Sequence, residues 1–144
     1  MVSMHPMLRD LSLVVTGGTV GTAAREALIL GIPTVARLPL AILTANVMGA
    51  FALGLLLESL TLRGDDSGAR RHVRLVFGTG VLGGFTTYSA LSLDVATLHG
   101  LSGSAAVGVG LAYGLGSVVL GVASAWWGVA AARAWHRPQE KATP

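Results

Sequence analysis

Hydrogen-bond donors interrupt otherwise apolar stretches of this sequence. Asn46 is a lone amide in Thr44-Ala45-Asn46-Val47-Met48-Gly49. Its NH₂ group can donate to a passing anion or bond a neighbouring helix. Tyr113, Ser117 and Gly121 recur every four residues, so on a helix they share a face and the two hydroxyls form a line of donors. The alternative for that pair is helix-to-helix hydrogen bonding. Arg25 follows Gly17 and Gly21 at the same spacing. It can serve an anion path, pin the end of another helix, or snorkel to a membrane interface. Thr86, Thr87, Tyr88 and Ser89 add a cluster of hydroxyls behind a glycine-rich run. There is no nucleotide-binding motif and no catalytic constellation. Cysteine is absent, which excludes disulfides and thiolate metal sites. His5, His72, His99 and His136 lie too far apart to show ligand spacing.

The elements that carry these donors read as membrane helices. Of 144 residues, 52% are hydrophobic and 12% charged, against about a quarter charged in a soluble domain. The mean hydropathy is +0.67. A bilayer core needs about 20 apolar residues in helical form. Four stretches qualify, about 11–30, 38–60, 73–98 and 105–134. They predict an all-α integral membrane protein, a single four-helix domain over 1–144. Pro39 sits where a helix start tolerates proline. The first stretch is of full membrane length, with no small-x-small cleavage site behind a short core, so no cleaved signal peptide is expected. The sequence pI of about 10.2 comes from arginines clustered between apolar runs. No basic face interleaved with aromatics is present, so nucleic acid is not expected as a partner.

The third stretch is the least helix-like. Gly78, Gly80, Gly83 and Gly84 precede the hydroxyl cluster, and each glycine costs about 1 kcal/mol against alanine in a helix interior. A break is expected near Gly83-Gly84-Phe85-Thr86. Irregular backbone survives at membrane depth only when buried in protein or lining a cavity. It frees carbonyls for a cation and N–H groups for an anion. Elsewhere, the small-residue pairs Gly17/Gly21, Ala50/Gly54 and Gly110/Gly114 suit close helix packing. Trp126, Trp127 and Trp135 suit an interfacial belt. Arg9, Arg63, Arg70, Arg71, Arg74, Arg133, Arg137 and Lys141 fall on one side of the membrane and Arg37 alone on the other. By the positive-inside rule, both termini are expected in the cytoplasm of a multi-pass plasma-membrane protein.

Three blocks in order resemble the CrcB/Fluc family of fluoride channels. They are Gly-Gly-x-x-Gly-x-x-x-Arg at 17–25, Thr44-x-Asn46-x-x-Gly49-x-Phe51-x-x-Gly54, and Gly80-x-x-Gly83-Gly84-Phe85-Thr86-Thr87. The resemblance covers about 17–121. It implies two chains packed as an antiparallel, inverted-topology dimer with two narrow anion pores. It also implies a structural sodium ion (Na⁺) at the dimer interface, held by the backbone carbonyls of Gly83 and Thr86. Asn46, Tyr113 and Ser117 match the family's pore-lining amide and hydroxyls, and a further serine expected one turn on is Gly121 here. The family follows the paired threonines with Phe-Ser-x-Phe. The matching run puts Thr87, Tyr88, Ser89 and Leu91 on the anion path, with Tyr88 and Leu91 in place of the two phenylalanines. Tyr88 keeps an electropositive ring edge, whereas Leu91 offers an aliphatic surface.

The implied activity is export of cytoplasmic fluoride down its electrochemical gradient, with the lipid bilayer as surroundings. The strong charge bias adds an expectation of its own. A chain that inserts one way pairs with an oppositely oriented homologue rather than with itself, giving a heterodimer in place of a homodimer. Two other functions are weighed, a non-conducting structural subunit and a small proton-coupled multidrug exporter. The exporter needs a membrane carboxylate in an aromatic cage. Glu26 and Asp94 are the candidates, and neither has a tryptophan in its own span.

Overall fold

The computed structural model describes residues 4–33, 39–99 and 104–136. Helix α1 runs Met4–Gly31 and α2 runs Leu40–Thr61. The next rod starts as α3 (Gly68–Val73), passes into a π-helical stretch (Arg74–Leu82) and ends as α4 (Gly83–Phe85). Thr86 and Thr87 are not helical, and α5 (Tyr88–His99) follows them. Helix α6 spans Ser104–Trp135. Three helical segments, Pro6–Gly31, Leu40–Thr61 and Val107–Trp135, are long and apolar enough to cross a membrane. The broken rod is the remaining, bent helix. Arg37, Arg137 and Lys141 of the charge count lie outside the described residues, as do most of the 31–37 and 99–104 linkers and the polar tail.

Helix α1 starts before the expected Leu11 because its polar first turns are anchored to α3. Arg71 pairs with Asp10 at 2.7 Å, and Arg9 Nη2 lies 2.8 Å from His72 Nε2. Farther along, glycine brings α1 against the π-helical rod. A Cβ on Gly17 would collide with the Val76 carbonyl oxygen and the Gly80 Cα. One on Gly21 would strike the Val81 carbonyl, and one on Gly84 would strike the Gly18 backbone. Bare backbone meets bare backbone here, and lipid gives helices no hydrophobic reason to associate without such contact. The π-helical stretch was not expected from the sequence. It lies where Gly78 and Gly80 weaken the ordinary helix, and π-helical turns are rare and concentrate at functional sites.

The other pair is α2 with α6. A Cβ on Gly54 would meet the Ala125 backbone, and one on Gly128 would meet the backbone of Phe51 and Leu55. Ser124 Oγ donates to the Val47 carbonyl at 2.8 Å. Arg133 Nε donates to Glu58 Oε1 at 2.7 Å near the ends of the two helices. Helix α5 leans on α6, and the space between α2, α5 and α6 is filled by Ile42, Leu91 and Tyr113. The break therefore lies between two tightly joined helix pairs.

Candidate functional site at the helix break

The break comes at Thr86, the last residue of the expected stretch. Gly83 and Gly84 stay helical, and Thr86 turns extended at φ −83°, ψ 152°. The last regular bond runs from Thr86 N–H to the Leu82 carbonyl at 3.0 Å. Two bonds that a continuous helix would make next are replaced by side chains. Thr87 N–H, which would reach the Gly83 carbonyl, donates to Asn46 Oδ1 at 2.8 Å. Asn46 Nδ2 donates back to the Thr87 carbonyl at 3.0 Å, so the amide pairs with the N–H and C=O of this residue as one strand pairs with another. The Gly84 carbonyl, which would accept from Tyr88 N–H, accepts from Arg25 Nη1 at 3.1 Å and Thr22 Oγ1 at 3.4 Å.

Arg25 thus reaches the end of another helix. Its side chain is 19% exposed, and Glu26 Oε1 lies 3.4 Å from Nη2. A guanidinium at the C-terminal carbonyls of a helix also faces the negative end of the helix dipole. Thr87 starts α5 as a cap, with its Oγ1 accepting from Ala90 N–H at 3.3 Å and lying 3.2 Å from Ser89 Oγ. Thr22 has a role that the sequence reading missed. It lies three residues before Arg25, on the same helical face, and that spacing was the available signal.

A groove of about 350 Å³ opens beside the break, and Asn46, Thr87, Tyr88, Leu91 and Ser117 all border it. Tyr88 projects at 78% exposure. Leu91 is 7% exposed and belongs mainly to the small core, so it gives the groove little surface. Ser89 stands outside the groove. Tyr113 is also off it, buried beside Ile42 and Leu91, with its hydroxyl donating to the Pro39 carbonyl at 3.1 Å. Ser117 Oγ donates to the Tyr113 carbonyl at 2.7 Å. Both hydroxyls of the expected donor line therefore hold carbonyls in this state. Gly49 has no side chain where the Thr86 methyl sits, and that seats the break against α2.

Residues 12–129 match the family described as CrcB-like protein, Camphor Resistance (CrcB). The chain belongs to the CrcB-like family. It is accordingly an all-helical membrane protein with four helices, of which three are apolar spans and the third is bent. The CrcB-like chain is 49% identical over 127 residues to the fluoride-specific ion channel FluC 2 of Leifsonia xyli, covering 88% of this chain and 86% of that one. It is 45% identical over 124 residues to FluC 1 of Cutibacterium acnes, with 85% of each chain covered. The FluC of Deinococcus radiodurans is 47% identical over 112 residues, with 76% of this chain and 83% of that protein covered.

Proposed function

We propose that this CrcB-like chain is a subunit of a fluoride-specific ion channel that lets cytoplasmic fluoride leave down its electrochemical gradient. The observation that carries the reading is the broken third span. Its free backbone groups are held by Asn46, Arg25 and Thr22 beside one groove of hydrogen-bonding side chains. The similarity to channels named fluoride-specific supplies the ion. The family is one of channels, not enzymes.

Fluoride must exchange its water for donors that release it again, and several weak sites conduct where one strong site would trap. Asn46 has two amide hydrogens, of which Thr87 takes one. The second is the donor offered to the groove. Ser117, which borders the groove, carries one hydroxyl hydrogen that rotates freely. Turning it from the Tyr113 carbonyl to the anion replaces one hydrogen bond with another, so this hydroxyl binds transiently.

The Gly83 carbonyl has lost its helical donor to Asn46, and the Thr86 carbonyl leaves the helix direction. Unwound carbonyls of this kind suit Na⁺. Gly83 and Thr86 are the residues that would hold it, and its charge would fasten two chains at the break. The groove among α2, the break, α5 and α6 is open, which leaves a face for a partner chain, and the resemblance to the family implies that the partner is antiparallel. The arginine bias supports cytoplasmic termini in the plasma membrane and a heterodimer with an oppositely inserted homologue.

The test is efflux from liposomes holding the purified chain, alone and with a homologous chain, read with a fluoride electrode against chloride. Fluoride-selective efflux in either case upholds the reading. Absence of efflux in both overturns it.

A further inference from the structure

Along α2, Asn46, Ala50, Leu53, Leu57 and Thr61 form one helical stripe. Three hollows lie along it, and they adjoin. The groove at the break is bordered by Asn46, Ala50 and Leu53. A hollow of about 360 Å³ shares Leu53 and adds Leu57, Arg74, Gly78 and Thr79. A third, of about 450 Å³, shares Leu57 and Arg74 and reaches the linker at Thr61, Asp66 and Arg70. One furrow between α2 and the third span thus runs from the linker to the break. Thr61 to Asn46 is fifteen residues of helix, about 22 Å at 1.5 Å per residue.

Between the linker and the break, the middle hollow of the furrow has two polar lining residues, Arg74 and Thr79. Arg74 stands where the two outer hollows meet, its side chain 35% exposed, with Nη2 2.6 Å and Nε 2.9 Å from Asp66 Oδ2. Thr79 is exposed, and its hydroxyl has no partner among the described residues, whereas Thr16, Thr19, Thr22, Thr61 and Thr86 all give theirs to carbonyls. We infer that this furrow is the anion's approach from the linker side. Arg74 is its electrostatic gateway, and Thr79 is a donor between the gateway and Asn46. Asp66 holds the guanidinium at the mouth and offsets part of its charge. The outermost hollow carries both signs, Asp65 and Asp66 with Arg70 and Arg74. In the next one inward, Arg74 is the one charge among the lining residues. A low-dielectric cleft with one sign of charge raises local counter-ion concentration and on-rate by about 10–10³. This inference rests on the channel reading above.

The experiment measures fluoride flux at subsaturating fluoride in the conducting assembly, for wild type, Arg74→Gln, Arg74→Lys and Asp66→Asn, at low and at molar ionic strength. Each variant is first checked for wild-type elution and melting temperature. Arg74→Gln should lower flux about tenfold at low salt, and less than about twofold at 1 M, where the Debye length is about 3 Å. Arg74→Lys should stay within about twofold of wild type, because the ammonium keeps the charge. Asp66→Asn should hold or raise flux, since it unmasks Arg74. The inference is overturned if Arg74→Gln conducts as wild type at low salt, if its loss is equal at both salts, or if Asp66→Asn loses as much. The last two results would mean that only the ion pair matters. Should Arg74→Gln fail to fold, the Asp66→Asn result decides alone. A wild type without flux would reject the channel reading itself.

Discussion

Asn46 holds the Thr87 peptide through both its N–H and its carbonyl. Removing the amide strands both groups at membrane depth, and an unmet buried group costs about 1–3 kcal/mol. Asn46→Ala should therefore lower the melting temperature and suppress flux together. Asn46→Asp separates the two effects. A carboxylate oxygen still accepts from Thr87 N–H, so the break is partly held, but both amide hydrogens are gone and a negative charge faces the groove. Asn46→Asp should keep a larger share of the wild-type melting temperature than Asn46→Ala, while flux falls about tenfold or more. If Asn46→Asp conducts as wild type, the amide is only a clamp and the anion takes another route. The sequence showed that Asn46, Arg25 and the hydroxyl cluster were misplaced for lipid, because polar groups there need partners. It did not show which partners, because the donors fit an anion and a backbone carbonyl equally well. Leu91 illustrates the limit. Its place in the motif suggested the pore, and packing against Ile42 and Tyr113 put most of it in the core.

At the scale of elements, the glycines divide into two kinds that sequence alone cannot separate. Gly17 and Gly84 sit where α1 and the broken rod touch backbone to backbone. Gly116 and Gly121 face open space within 4 Å. Gly17→Ala and Gly84→Ala should destabilise by about 1–3 kcal/mol through overpacking. Gly116→Ala and Gly121→Ala should be neutral or stabilising by up to about 1 kcal/mol, the helix-propensity gain. Melting temperatures in detergent check the sign. A uniform response across the four would mean that these interfaces are looser than the structure has them. The apolar runs made the helical stretches legible to within a few residues, except the start of the third, which begins at Gly68 instead of 73, and the start of α1, where ion pairs to α3 extend the helix over polar residues. The break was legible from its glycines as lying within residues 83–86, and it falls at the last of these four residues, although propensity alone counts each glycine as a breaker. Close contact with α1 instead uses Gly84 inside a helix, and Asn46 fixes the unwound point at Thr87. The π-helical stretch left no signal in the pattern, since nine residues make too few turns for an apolar period to distinguish it from an ordinary helix.

For the molecule as a whole, what decides is what covers the groove. Among the described residues no large side chain is fully buried, and Val118, Val119, Val122 and Trp126 are all more than half exposed beside the open side. Lipid can cover the valines, but it cannot satisfy Asn46's second amide hydrogen or the exposed Tyr88 hydroxyl. The antiparallel second chain proposed above would cover them, and the question is whether that chain is a copy. A copy requires one sequence to insert in both directions. The linker after α2 carries Arg63, Arg70, Arg71 and Arg74 within twelve residues, and short loops with that excess of cations stay in the cytoplasm. A tag on the C-terminus should therefore be reachable from the cytoplasmic face alone. The purified chain alone should give little flux, and an oppositely oriented homologue should restore it. A tag found on both faces, together with flux from the chain alone, would make the channel a homodimer. The four linker arginines would then have to be outweighed by the apolar drive of the spans, and neutralising Arg70 and Arg71 should leave the orientation ratio unchanged. In the single-orientation case the same neutralisation should let part of the population invert, so that one double variant read by tag accessibility separates the two assemblies.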